Sequence, residues 1–189
     1  MTEIVLCGDS GDTSISSILV PALSRCGGVR FQSAERIYGM GDAADFLVYD
    51  CERIPKIGLK SGIVVFKNSF RGQRSTEHCS TEQCSAEIPP GFLCTLESKN
   101  VRAAEFLEGT DAAVVTFGTG SRETLSMAGL NAASATLSLQ RNLEPLGGGV
   151  LEPHDFTVRL LAERSPHQIL AVCAVLLIAG IDSSKGYVV

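Results

Sequence analysis

Seven residues near the start of the chain, Gly8-Asp9-Ser10-Gly11-Asp12-Thr13-Ser14, have the types and spacing of a phosphate cradle. Glycines let a backbone approach an anion closely, and the unpaired N–H groups of a following helical turn point at it. One charge is reversed. Where a phosphate-binding loop carries lysine, this loop carries Asp12. A unit charge pair at about 4 Å and an effective dielectric of about 20 is worth roughly 4 kcal/mol. The helix end that favours an anion contributes only about 0.3–1 kcal/mol at an exposed site. The reversed charge therefore outweighs the backbone, and Asp12 is expected to fill the anion's place with its own carboxylate, capping the N–H groups beneath it.

Other chemistry-bearing residues are thinly spread. Asp50 and Glu52 follow an apolar run and could form a carboxylate pair, but no histidine or lysine of evident role accompanies them. His78, Cys79, Cys84 and Cys94 lack the second close pair of a zinc site and read as part of a solvated loop. Cys7 and Cys51 end apolar runs and read as small core residues. No motif surrounds His78, His154 or His167 that would make a cysteine nucleophilic. No catalytic residue is assigned.

The elements that must position the loop are legible as patterns. Glu3 to Cys7 is a strand, and a helix is expected from about Thr13 to Arg25, strained by Pro21. Val29 to Tyr38 holds one short strand. Phe46–Tyr49 and Ile63–Phe66 are unalternating apolar runs, as in parallel strands covered on both faces. From Arg71 to Pro90 the chain is polar, with room for a short helix at Thr81–Ala86. Phe92–Leu96 and Ala112–Phe117 are further strands, separated by a helix that Asn100 caps. Thr124–Leu130 and Ala133–Leu139 alternate and form an antiparallel hairpin through Asn131; Phe156–Leu161 is another alternating strand. A last helix opens at Ser165-Pro166 and ends at Gly180.

The fold expected is α/β, a single domain over residues 1–189. A mostly parallel sheet with helices on both faces has a P-loop-like first turn and a C-terminal antiparallel hairpin extension over 122–162. Hydrophobic residues make up 44% of the 189, enough for a continuous core. A net charge of -5 argues against a nucleic-acid or anionic-membrane surface. The apolar run Ile169–Ile181 is too short to span a bilayer. Seven irregularly spaced cysteines, with Glu3 and Asp9 interrupting any leader, fit reduced thiols and a cytoplasmic location.

In order along the chain, these segments resemble the central, ATP-binding domain of the Mur ligase family, which joins amino acids to cell-wall precursors and has folylpolyglutamate synthases as relatives. Gly8, Gly11, Thr13 and Ser14 match the family's Gly-x-x-Gly-Lys-Thr-Thr/Ser loop. Phe46–Asp50 is similar to its strand ending in a magnesium-binding acid, and Val65-Phe66-Lys67-Asn68 to its Val-Phe-Thr-Asn strand. Gly91–Asn100, Val114–Gly118 and Ser165–Ala171 resemble three later segments. The resemblance implies ATP and magnesium as ligands, with Gly8 to Ser14 on the phosphates and Thr13 and Asp50 on the metal. The loop lysine, the metal-binding histidine and a clear carbamoylated lysine are absent, and the match leaves no room for the family's flanking domains.

The function expected is therefore that of a catalytically degenerate Mur-ligase-like domain with no cofactor, a non-enzymatic protein that binds a small ligand or a protein partner. Surfaces that flanking domains would cover make a homo-oligomer plausible. The alternative is a component of an ATP-dependent amino-acid ligase, of peptidoglycan-precursor or folate type, completed by a partner subunit. On the first reading, and if the cradle is otherwise intact, Asp12→Lys should raise nucleotide affinity without hydrolysis.

Overall fold

The computed structural model describes residues 1–55, 60–72 and 88–189. The expected helix at 81–86 and the residues His78, Cys79 and Cys84 lie outside the described residues. Strands β1 (Thr2–Cys7), β2 (Val29–Ser33), β3 (Ile37–Met40), β4 (Phe46–Cys51), β5 (Gly62–Phe66), β6 (Phe92–Glu97), β7 (Ala113–Gly118), β8 (Leu125–Leu130), β9 (Ser134–Leu139), β10 (His154–Arg159) and β11 (Tyr187–Val188) form one sheet. Its order is β11-β10-β9-β8-β7-β6-β5-β1-β4-β2-β3. Neighbours from β2 through β8 run parallel, and β8, β9 and β10 form the antiparallel extension.

The apolar strands sit in the middle because both of their faces are covered. Residues of β1 and β5 alternate between two cores. Ile4, Leu6, Ile63 and Val65 pack beneath helices α1 (Ser16–Ser24) and α3 (Pro166–Ile178). Val5, Cys7, Val64 and Phe66 face the other way, where helix α2 (Val101–Leu107) covers them with Ala103 and Leu107. Helix α3 is apolar all round, and every residue from Ile169 to Ile178 is buried, as that composition demands. Its start is fixed by a capping box: Gln168 N–H donates to Ser165 Oγ, and Ser165 N–H to Gln168 Oε1 at 3.0 Å. Asn100 caps α2 by accepting from Ala103 N–H at 3.1 Å.

The structure corrects four expectations. The first helix begins at Ser16 rather than near Thr13, because Asp9 and Asp12 close local turns through residues 9–14 with their own carboxylates. Val29–Tyr38 is not one strand; β2 and β3 form a hairpin that adds an antiparallel edge beyond β4. All four residues of β3 are exposed, so no alternation marked it. The strand expected at Phe156–Leu161 runs from His154 to Arg159, in register with β9. The two-residue β11 was not anticipated; it pairs with β10.

Burial also orders the thiols. Cys7, Cys94 and Cys173 are buried, and desolvation pushes the Cys7 and Cys94 thiols up to about 12. Cys26 is exposed. Among these four, iodoacetamide at pH 8 should label Cys26 first, with Cys7, Cys94 and Cys173 reacting only in denaturant. Peptide mass spectrometry checks this; early labelling of Cys94 would contradict the packing.

Candidate functional site

The loop after β1 lies at the carboxyl edge of the parallel strands, between the ends of β4 and β5. Its interior is filled by the chain itself. Lys67, the first residue after β5, is fully buried and runs alongside Gly8: a Cβ added to Gly8 would come 2.8 Å from Lys67 Cβ and 2.9 Å from Ser69 Oγ. The glycine that would admit a phosphate here admits a lysine stem. The Lys67 ammonium donates to the carbonyls of Asp12 at 2.7 Å and Asp9 at 3.1 Å, and it forms a buried ion pair with Asp50. All three donors of the ammonium are used.

Asp12 is satisfied in the same way. Its Oδ1 accepts from Ser14 N–H at 3.1 Å and from the Ser14 hydroxyl at 2.5 Å; its Oδ2 accepts from Ser69 Oγ–H at 2.7 Å. Partial burial works against ionisation of Asp12. The hydrogen bonds from Ser14 and Ser69, together with the Lys67 charge, outweigh that burial and hold the carboxyl below the usual carboxylate range. Asp12 thus caps the Ser14 N–H in a turn before the helix, not an N–H of the helix itself. Position N-cap of α1 is Ile15, with no side-chain cap.

The remaining loop residues are held by local bonds. Asp9 Oδ1 accepts from Gly11 N–H at 2.9 Å, Asp9 N–H donates to Ser69 Oγ, and Ser10 Oγ–H donates to Glu52 at 3.1 Å. Thr13 is exposed, and its carbonyl accepts from Ser17 N–H at 3.0 Å. Gln168, at the start of α3, donates to the Ser14 carbonyl at 3.1 Å and ties the loop to the last helix.

Asp50 and Glu52 do not form a carboxylate pair. Asp50 is buried on Lys67, and Glu52 is exposed. Burial raises the Asp50 carboxyl above its ordinary value, against the pull of Lys67 and the Ser16 hydroxyl. Among the described residues, no three His, Cys, Asp or Glu side chains gather as a metal cluster. Beside the loop, Glu97 at the end of β6 meets His167 Nδ1 at 3.0 Å and accepts from Asn68 at 2.6 Å.

Lys67 is the residue that sequence reasoning missed. It entered only as part of a strand match. The only local signal was a lysine directly following the apolar run Ile63–Phe66, which places its side chain at the sheet's carboxyl edge; its partners Asp50 and Asp12 lie 17 and 55 residues away in sequence.

No family model matches the chain, and no curated protein matches it. Among solved structures it is similar to a UDP-N-acetylmuramoyl-L-alanyl-D-glutamate–2,6-diaminopimelate ligase, with a TM-score of 0.56 at 14% identity over 98% of this chain and 45% of that one. The likeness defines the fold as Mur-ligase-like, a mostly parallel α/β sheet with an antiparallel edge. The chain spans about half the length of that ligase. No helix among the described residues is long and apolar enough to cross a membrane.

Proposed function

We propose that residues 1–189 act as one catalytically degenerate Mur-ligase-like unit that binds a small ligand or a protein partner and carries out no ATP-dependent ligation. One observation carries this reading: the Lys67 ammonium lies inside the loop, paired with Asp50 and spent on the carbonyls of Asp9 and Asp12. The residues present do not fit a magnesium–nucleotide complex. The acid that would face a metal already has an internal cation. Asp12 holds the sequence position of the family's loop lysine, and its negative charge would repel a triphosphate there. Gly8 to Ser14, with Thr13 and Asp50, are on this reading the remains of a nucleotide site. Self-association belongs to the same reading, supported by edge strand β3, where Ile37 is 79% exposed.

Isothermal calorimetry with ATP and magnesium tests it. The expected result is no magnesium-dependent heat at millimolar ligand. Asp12→Lys is also expected to leave nucleotide binding absent, because a second ammonium would meet Lys67 in an already filled loop. A micromolar, magnesium-dependent affinity in the unaltered chain would overturn the proposal. Turnover of ATP on adding a partner protein would replace it with a ligase component.

A further inference from the structure

Cations collect just outside the closed loop. In this sheet the chain leaves β1 towards β4 and β2 on one side and continues through β5, β6 and β7 on the other. The crevice between the carboxyl ends of β1 and β5 is therefore a topological switch point, the place where open α/β sheets bind ligands. Two connected hollows of about 640 and 720 Å³ open there on the α2 side, sharing Ser69, Arg71 and Arg102. Arg53 lines the first hollow and Lys99 the second. Four of the chain's sixteen lysines and arginines thus line one cleft, in a protein of net charge -5.

Three carboxylates, Asp9, Glu52 and Glu97, share the cleft and keep their charge, leaving the four cations in excess by one, and each is engaged by a neighbour of its own. Asp9 accepts from Gly11 N–H, Glu52 from Ser10, and Glu97 is held by Asn68 and His167. The arginines are exposed and present planar forks suited to bidentate contact with carboxylate or phosphate oxygens. The volume is that of a metabolite site. Phe70, the aromatic residue of the wall, is buried and offers no face for a base to stack on.

We propose that this cleft binds a compact polyanion, with one anionic end at Arg53 and Arg71 and the other at Lys99 and Arg102. The ligand carries at least two carboxylate or phosphate groups and no nucleobase. The inference rests on the binding role proposed above and names the ligand class for it, at a cleft that borders the closed loop at Gly8 and Asp9.

Citrate and pyrophosphate are the probes, titrated calorimetrically against the full chain, with sodium chloride at matched ionic strength and monovalent acetate as controls. The expected result is saturable binding of one or both probes, weakened at least tenfold by Arg71→Gln and by Arg102→Gln, two exposed positions where folding should be unaffected. Citrate alone identifies a polycarboxylate site, and pyrophosphate alone a phosphate site. Failure of both probes to exceed the controls, or binding indifferent to both substitutions, overturns the proposal. Magnesium-dependent ATP binding that survives Arg71→Gln would instead overturn the reading of the closed loop, without touching the cleft.

Discussion

Lys67→Met should destabilise the protein by about 3–5 kcal/mol, the cost of stranding a buried charge when its partner is removed. The Asp50 side chain is 1% exposed, and its counterion is the Lys67 ammonium. Two loop carbonyls lose a donor in the same step. Adding Asp50→Asn to Lys67→Met should recover part of the loss, since the pair leaves together, and a double-mutant cycle isolates the coupling. The sign of the pH dependence follows. Without the ammonium, the folded Asp50 carboxyl rises further above its unfolded value than burial already sets it. Between those two values the folded state binds more protons than the unfolded state, so stability falls as pH rises through the window. Lys67→Met should therefore regain stability as pH drops from 7 towards the unfolded carboxyl pKa of about 3.9. Urea denaturation at several pH values measures both effects. A loss below about 1 kcal/mol would mean that Asp50 reaches water, and the internal-cation account of the loop would fail.

Leu176→Ala is the second large effect. Leu176 is 2% exposed on α3, the helix that contacts α1 and lies over β5 to β8. Deleting a buried leucine costs the lost transfer free energy plus a cavity that close packing cannot fully collapse, about 2–5 kcal/mol. In a chain of this size each kcal/mol lowers Tm by about 2–4 °C, so a drop of roughly 6–12 °C is expected for about 3 kcal/mol. Because Gln168 of the same helix holds the Ser14 carbonyl, the loss should spread to the loop, read as faster amide exchange at Ser14 to Ser17. A drop of less than 2 °C would show that α3 is not a shared core element.

Much of the fold was legible because interior strands of a parallel sheet are apolar along their length, although only β5 is buried at every residue, while β4 is half-buried on one face and β7 exposes Ala113 and Val114. Phe46–Tyr49, Ile63–Phe66 and Ala112–Phe117 are apolar without alternation, and each became an interior parallel strand. Ser165-Pro166 announced α3 by local capping chemistry. Strand β3 was not legible, since an exposed edge strand needs no pattern. The start of α1 was misplaced because Asp12 and Asp9 bond to near neighbours in turns, a choice that helical periodicity does not register. At the site, the reversal at Asp12 could be read from one position. Its compensation could not, because Lys67 lies 55 residues away and meets Asp12 only after β5 pairs with β1.

The cation stored beneath the loop has a consequence for how the protein meets its surroundings. A domain that depends on a dissolved divalent ion gains or loses order with the local supply of that ion. If Lys67 stands where such an ion would sit, as proposed above, its occupancy does not vary, and the first turn is expected to keep its order in chelator and across changes in free magnesium.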